Sequence, residues 1–425
     1  MTGTRRAVWR FTDSPAILVV ARVSGLALGL LSAPLLARGL SVDDRGTFAA
    51  TAACLAVIPV LVGLGLPTAV RRLVAGGAEA AAVLGSARIL IAIASVFSIL
   101  LGWLAGRTLL PGLTGAEHWA LLGASALSVF QISWVCEATS LSAQQKFRKL
   151  AIVNLLQQIV FVSSVATLFC FGELSLLRAI LSFSFATVIT AAAAPSIART
   201  GLRLSPRFAK QLARDGLRYT GSEIVEVANN RLDQVLMLPV IGAIQAGYYA
   251  VAVTLSSLLV GVGQSFAAGS FKQFMQDPFG TAEIRRTLST ATLVSLLGAA
   301  MLTCIAPFAI PLVFSSAYRE ATPVSLVSLI GAFTVVPSSV GAALMLARDR
   351  ARALMLCQST GLACGIGTLY VLGPPFGATG AAAASTLGYI AAAIAIFWSL
   401  RVPVRCWIPS PATFRSGISV FVYGR

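Results

Sequence analysis

The segment 218–252 lies between long apolar runs and is itself long enough to cross a bilayer, yet it contains Glu223, Glu226, Arg231 and Asp233. A charged side chain at the bilayer centre costs about 2.5–3.5 kcal/mol, so a stable span cannot leave four of them facing lipid. They must face other helices or a wet cavity, either as a functional site or as salt bridges that only orient the bundle. The helical period places seven polar or amphipathic residues on one arc, namely Tyr219, Glu223, Glu226, Asn230, Asp233, Gln234 and Met237.

The composition is that of an integral membrane protein. Of 425 residues, 57% are hydrophobic and 11% are charged, with a mean hydropathy of +0.86, whereas soluble domains are about 25% charged. The net charge of +17 does not indicate nucleic-acid binding, because the basic residues lie in short segments between apolar runs. The seven cysteines lack C-x-x-C spacing, so neither a metal site nor a disulfide is predicted.

The apolar runs predict an all-α protein with about twelve transmembrane helices, six in each of two lobes. The predicted domains are a cytoplasmic lead at 1–14, an N-terminal lobe at 15–198, a basic cytoplasmic loop at 199–217, a C-terminal lobe at 218–400 and a cytoplasmic tail at 401–425. The predicted helices are 15–37, 46–70, 83–106, 119–141, 150–171, 174–198, 219–240, 245–270, 287–314, 322–346, 353–372 and 377–400.

The distribution of basic residues predicts the orientation of these helices. With the N-terminus inside, 25 of the 32 Lys and Arg residues fall on the inner side and five on the outer side. Both termini are therefore expected in the cytoplasm. The outer loops are too short to carry the catalytic residues of a membrane polymerase or ligase, and no G-x-x-x-x-G-K-[ST] motif indicates ATP hydrolysis. The protein is not expected to be an enzyme, and no catalytic residue is predicted.

The two halves of the sequence repeat each other. When Gly46 is aligned with Gly247, Phe48 matches Tyr249, and LSAQQKFRKL at 141–150 recurs with a small slip as LMLARDRARAL at 344–354. Because each half has an even number of helices, the halves should be related by a pseudo-two-fold axis along the membrane normal, with a site between them near the midplane. The same alignment places Arg22 opposite Glu223 in the other half.

Several short motifs resemble one family of membrane proteins. They are NNRLDQ with the following GYYAVAVTL, RVSGL, LARGLS with DDRGTF, and PFGATGAAAASTLGY. Together they resemble the Wzx-type flippases, which belong to the MOP superfamily with the MATE antiporters and the lipid II flippases. The resemblance implies a V-shaped bundle of two six-helix lobes that alternates between inward and outward openings. The extra pair of helices that lipid II flippases carry is not found in this sequence.

The resemblance also implies a substrate and its partners. The substrate would be an undecaprenyl-diphosphate-linked oligosaccharide, turned from the cytoplasmic to the outer leaflet of the bacterial inner membrane. The pathway would make a surface polysaccharide such as O-antigen, exopolysaccharide or capsule, with a polysaccharide polymerase and glycosyltransferases as partners. A diphosphate calls for arginine, whose planar fork binds phosphate oxygens in pairs. The expected substrate-binding residues are Arg22, Arg231, Asn230, Gln234, Tyr219 and Lys272.

The acidic residues of the polar arc suggest ion coupling. Asp233, Glu226 and Glu223 are the candidates to carry a coupling H⁺ or Na⁺, because burial and a neighbouring arginine can tune the pKa of a carboxyl group. Arg22 and Glu223 are expected to form an interlobe latch that breaks on opening. The excess of carboxylates also favours an alternative function, a MATE-like ion-coupled exporter of organic cations.

Overall fold

The computed structural model describes residues 16–110, 112–201, 203, 205–277 and 279–401, and most of them are helical. The chain divides into two compact units, unit 1 up to Pro239 and unit 2 from Val240. The helices of unit 1 are α1 (Ala16–Gly39), α2 (Val42–Gly63), α3 (Leu66–Ala75), α4 (Ala80–Thr108), α5 (Gly115–Ala143), α6 (Phe147–Cys170), α7 (Leu176–Ala198) and α8 (Pro206–Ile241), which ends just past the boundary.

Local side-chain caps begin several of these helices. Ser41 Oγ accepts a hydrogen bond from Asp44 N at 3.1 Å at the start of α2. Thr114 and Glu117 form a capping box at the start of α5, in which Glu117 Oε2 accepts from Thr114 N at 2.8 Å. Such caps satisfy backbone N–H groups that have no partner within the first turn of a helix.

Unit 2 contains α9 (Ala243–Gln276), α10 (Thr281–Ala309), α11 (Ala321–Ala347) and α12 (Ala351–Leu400). A π-helical turn at Ile310–Phe314 and a 3₁₀ turn at Ser316–Tyr318 connect α10 to α11. The long α12 is two helices joined at Gly377, whose φ of 56° and ψ of −134° are not helical. The predicted break between 353–372 and 377–400 is therefore confirmed.

The helices are long and apolar enough for a multi-pass membrane protein. Among the described residues, nine helices qualify as membrane spans, with α12 counted once although its 50 residues suffice for two spans. The nine are Val42–Gly63, Ala80–Thr108, Gly115–Ala143, Phe147–Cys170, Leu176–Ala198, Ala243–Gln276, Ile284–Phe314, Ala321–Ala347 and Ala351–Leu400.

The second predicted span, 46–70, is interrupted in the structure. Leu64 and Gly65 have φ values of 44° and 69°, in the left-handed region, and they separate α2 from the short α3. The sequence carries local signals for this break, because Gly65 tolerates positive φ and Pro67 lies at the start of α3. The single helix that was predicted here is corrected to two.

The predicted basic loop at 199–217 is also partly helical. The helix α8 begins at Pro206, so the residues from there to 217 extend the predicted seventh helix rather than connect to it. Proline suits the first turn of a helix because its missing N–H would have no partner there. The division between units at Pro239 likewise lies beyond residue 218, where the second lobe was expected to begin, and this assigns most of α8 to unit 1.

The aligned segments around residues 145 and 349 adopt the same turn in both units. Gln145 and Asp349 each have a φ of 56°. Lys146 N donates to the carbonyl of Leu141 at 3.0 Å, and Arg350 N donates to that of Met345 at 2.9 Å. In each case one left-handed residue ends a helix and turns the chain into the next. This correspondence of backbone geometry supports the internal repeat.

Candidate functional site

The helix α8, which carries the predicted polar arc, packs against unit 1 through its N-terminal half. Leu212 is fully buried in a hydrophobic core formed with residues of α2 to α5. The break before α3 lies directly on α8, because a Cβ atom at Gly216 would be 2.6 Å from the carbonyl oxygen of Leu64. Two backbones can approach this closely only where side chains are missing.

Tyr219 marks the point where α8 continues into the polar arc. The guanidinium carbon of Arg72, in α3, lies 5.3 Å from the centre of the Tyr219 ring. This is a cation–π contact, in which the ring face attracts the positive charge. The structure thus places an arginine beside this predicted binding residue. Arg72 is not among the site residues that the sequence predicted.

The polar residues of α8 differ in their exposure. Asn230 and Arg231 are exposed, whereas Glu223, Asp233 and Gln234 are half-buried. Met237, which the prediction placed on the same arc, is buried. The accessible polar surface therefore includes Arg231, which lay outside the predicted arc, and stops before Met237.

One turn of α8 brings a guanidinium, a carboxylate and an amide together. Arg231 Nη1 donates to Gln234 Oε1 at 3.4 Å, and Asp233 Oδ1 accepts from Gln234 N at 2.8 Å. A guanidinium has five N–H donors, and the contact to Gln234 uses one donor of Arg231. The turn can bind a phosphate through the arginine and a cation or proton through the carboxylate.

Three predicted site residues have side chains outside the described set. They are Arg22 in α1, Glu226 in α8 and Lys272 in α9. The interlobe latch between Arg22 and Glu223 therefore stays a prediction. The division of the chain into compact units assigns both residues to unit 1.

The structure reveals a buried polar cluster that the prediction missed. Arg88 Nη2 in α4 lies 2.5 Å from Glu137 Oε1 in α5, and Thr200 Oγ1 donates to Glu137 Oε2 at 3.0 Å. Glu137 lies within the predicted span 119–141, is 1% exposed and is paired with these partners. The sequence did carry a signal for this pair. Arg88 and Glu137 are opposite charges in consecutive apolar helices, and helices joined by a short loop usually lie next to each other.

The segment that leads into α8 is fixed to the start of α4. Arg203 Nη1 lies 2.9 Å from Glu79 Oε1, and Ser205 N donates to Ser86 Oγ at 3.2 Å. A Cβ atom at Gly85 would be 2.1 Å from the carbonyl oxygen of Arg203, so this segment lies directly on the helix. We call these contacts the linker clamp. It positions α8 from its N-terminal end.

No cluster of three or more His, Cys, Asp or Glu residues that could hold a metal ion occurs in the part of the chain that the structure describes.

The whole chain is similar in fold to solved transporter structures. A lipid II flippase, MurJ, in an inward closed conformation matches with a TM-score of 0.75 at 15% identity, over 96% of this chain and 92% of the flippase. An inward-facing MATE family transporter of the MOP superfamily matches with a TM-score of 0.65 at 13% identity, over 90% and 98%. The MATE multidrug transporter DinF-BH in complex with R6G matches with a TM-score of 0.62 at 14% identity, over 94% and 96%.

These similarities define the class of the protein, a multi-pass helical membrane protein with the fold of the MOP superfamily. At such low identities they show the fold and leave the substrate open. A comparison with curated protein sequences gives no match. Residues 12–271 match the family described as "Polysaccharide biosynthesis protein", and the chain belongs to this family. The predicted resemblance to this family and to the MOP superfamily is confirmed.

Proposed function

We propose that this protein is a flippase that moves an undecaprenyl-diphosphate-linked oligosaccharide from the cytoplasmic to the outer leaflet of the bacterial inner membrane by alternating access. One combined observation carries the proposal. A chain of the polysaccharide biosynthesis family has the fold of a lipid II flippase over 96% of its length. The inward bias of basic residues supports cytoplasmic termini. A polysaccharide polymerase and glycosyltransferases of the same surface-polymer pathway are the proposed partners.

Arg231 is the proposed contact for the diphosphate. Its side chain is exposed on α8, and a guanidinium can bind two phosphate oxygens at once. Asn230 is exposed beside it, and Gln234 is held next to it by the contact to Arg231 Nη1, so both amides can bond to sugar hydroxyl groups. Tyr219 is proposed to bind at the end of this surface, together with Arg72. Arg22 and Lys272 are proposed as further phosphate contacts on their basic character alone.

Asp233 is the proposed carrier of the coupling ion, H⁺ or Na⁺. It is half-buried, and its carboxylate accepts from a backbone N–H one residue later, so the group is held in place while it gains or loses an ion. Glu223 and Glu226 on the same helix are the second candidates. Exchange of an ion at these carboxylates would change the charge next to Arg231 and hence its affinity for diphosphate.

Reconstituted flipping tests the proposal directly. Liposomes with the purified protein would receive a fluorescent undecaprenyl-diphosphate sugar in the inner leaflet, and a membrane-impermeant quencher would report its arrival outside. Wild type is expected to translocate it, and Arg231→Ala at least tenfold more slowly, since a hydrogen bond to a charged group contributes about 1.5–3 kcal/mol. Arg218→Ala is the matched control, because Arg218 is an exposed arginine of the same helix whose carboxylate neighbour, Asp215, is 3.9 Å away. Folded wild type that fails to translocate under any ion gradient would overturn the proposal.

The second candidate function is ion-coupled export of organic cations. It is favoured by the half-buried carboxylates Glu223 and Asp233 on α8 and by the similarity in fold to MATE transporters. A cationic substrate would bind these carboxylates rather than Arg231. Saturable uptake of a fluorescent organic cation into the same liposomes, lost in Asp233→Asn and retained in Arg231→Ala, would establish this function instead.

A further inference from the structure

A cavity of about 610 Å³ lies at the C-terminal end of α12, in unit 2. Arg348 and Arg350, from the turn between α11 and α12, form one side of it. The end of α12 forms the other side, including Trp398 and Arg401. Among the described residues, the lining contains three arginines together with Ala395, Ser399 and Leu400. No part of the proposed transport mechanism uses this cavity.

Backbone carbonyls at the end of α12 orient two of the arginines. Arg350 Nη1 donates to the carbonyl oxygen of Ser399 at 3.1 Å, and Arg348 Nη1 donates to that of Leu400 at 3.4 Å. A helix C-terminus carries about half a negative charge, so one arginine would be enough to balance it. Three guanidinium groups outnumber the one carboxylate of the same turn, Asp349, so the described lining is basic.

The arginines also act on one another. The pKa of Arg348 is lowered from its ordinary value, first by burial and second by the positive charge of Arg350. An anion placed between them would remove this repulsion. A phosphate group suits the geometry, because a guanidinium presents paired N–H donors at the spacing of two phosphate oxygens.

Two exposed aromatic rings flank the basic groups. Trp398 is 82% exposed, and Phe279 is 70% exposed with its ring 4.8 Å from the guanidinium carbon of Arg348. Trp is enriched where a membrane protein meets the headgroup region, since its ring has an apolar body and a polar N–H. A site for a free ion in water would not need such apolar surface, whereas a lipid offers acyl chains beside its phosphate.

The corresponding place in unit 1 is built differently. There Lys149 Nζ donates to the carbonyl oxygen of Ala198 at 3.3 Å, as the arginines do in unit 2. Just after this residue, the hydroxyl group of Thr200 donates a hydrogen bond to the buried carboxylate of Glu137. The described lining of the cavity in unit 2 has no counterpart of this carboxylate.

We propose that this cavity binds the phosphate headgroup of an anionic phospholipid of the surrounding bilayer. Arg350 and Arg401 contact the phosphate, Arg348 lines the same cavity, and Trp398 packs against the start of the acyl chains. The turn that carries Arg348 and Arg350 is one of the predicted cytoplasmic segments, and basic pockets on that side are suited to anionic lipid headgroups. The bound lipid is a resident of unit 2 and is distinct from the transported substrate.

Native mass spectrometry of the full-length protein in detergent tests this inference. Phosphatidylglycerol, phosphatidylcholine, inorganic phosphate and undecaprenyl diphosphate would be titrated separately. Wild type is expected to retain one phosphatidylglycerol in preference to phosphatidylcholine. The double variant Arg350→Gln/Arg401→Gln should raise the Kd for phosphatidylglycerol about tenfold or more, because it removes two charge-assisted contacts. Arg352→Gln, at an exposed arginine in the first turn of α12 that is not among the lining residues, should leave the Kd unchanged.

Two further variants separate the site from general charge or misfolding. Trp398→Ala keeps every charge and should weaken phosphatidylglycerol binding, and Arg350→Lys/Arg401→Lys should retain more binding than the glutamine pair. All variants would be checked for an unchanged Tm. Equal binding by wild type and the glutamine pair overturns the proposal, as does an equal loss in Arg352→Gln. Inorganic phosphate that displaces the lipid at equal concentration, or undecaprenyl diphosphate that alone depends on these arginines, would assign the cavity to that ligand and also overturn it.

Discussion

Arg88 Nη2 and Glu137 Oε1 lie 2.5 Å apart and join α4 to α5 by a charged pair inside the helical bundle. The carboxylate is 1% exposed and also accepts from Thr200, which precedes the linker clamp. A buried carboxylate that loses its partner keeps the cost of desolvation without the compensating attraction. This pair therefore ties two helices of unit 1 to the segment that leads into α8.

Removal of one partner should destabilise the protein. Arg88→Ala leaves the buried carboxylate of Glu137 without its counter-charge, and we expect unit 1 to lose about 3–5 kcal/mol of unfolding free energy. Thermal unfolding in detergent, followed by circular dichroism, would measure the change. Arg178→Ala, which removes an ion pair with Glu173 at the surface, is the control and should cost less than about 1 kcal/mol. Equal melting temperatures for the two variants would contradict the assigned role.

The contact between Gly216 and the break before α3 gives a second prediction. Gly216→Ala places a methyl group 2.6 Å from the carbonyl oxygen of Leu64, and the backbone must shift, at a cost of about 1–3 kcal/mol. Gly221→Ala, five residues along the same helix, meets nothing within 4 Å and should stabilise the helix by up to about 1 kcal/mol. The two melting temperatures should move in opposite directions, and a shift in the same direction would argue against close packing of α8.

Gln245 supports the kink of α12. Its Oε1 atom accepts from Ala378 N at 3.0 Å, just after Gly377. In Gln245→Leu this buried N–H loses its partner, and we expect a loss of about 1–3 kcal/mol in chemical denaturation. Gln276→Leu, at the exposed end of α9, is the control and should change little. A Gln245 variant as stable as its control would show that the kink does not depend on this cap.

Asp233→Asn should uncouple transport from the ion gradient. Asparagine keeps the oxygen that accepts from Gln234 N but cannot bind and release a proton or balance a sodium ion at neutral pH. Flipping in liposomes should then no longer respond to a pH or sodium gradient. Asp215→Asn, in the N-terminal half of the same helix, should respond as wild type does. Gradient-dependent flux that persists in Asp233→Asn would move the coupling role to Glu223 or Glu226.

Much of the helical framework follows from apolar length and local turn chemistry. Runs of about twenty apolar residues have few alternatives to a spanning helix, because lipid offers no partner for backbone groups. The break at Gly377 was equally predictable, since Pro374 and Pro375 precede a glycine. The repeat of the turn at Gln145 and Asp349 was visible as an aligned basic motif.

Contacts between helices could not be predicted in this way. A hydropathy profile assigns Arg88 to the nearest loop because the residue is charged. Its pairing with Glu137 depends instead on how α4 and α5 are rotated about their axes. The start of α8 at Pro206 was missed because a basic, amphipathic stretch has the composition of a loop until it is packed on another helix. The close approach of Gly65 to Gly216 has no sequence signal beyond the two glycines themselves.

The linker clamp has a practical consequence for anyone who cuts, tags or inserts into this chain. By composition, the charged stretch around Arg203 is the obvious site for a protease, an epitope or a fusion partner. The backbone of Arg203 nevertheless packs directly against Gly85, and Ser205 N is hydrogen-bonded to Ser86. An insertion there would therefore disrupt the packing of α8 on unit 1. The turn at Gly172, where an added Cβ atom would meet no other atom within 4 Å, is the better place to open the chain.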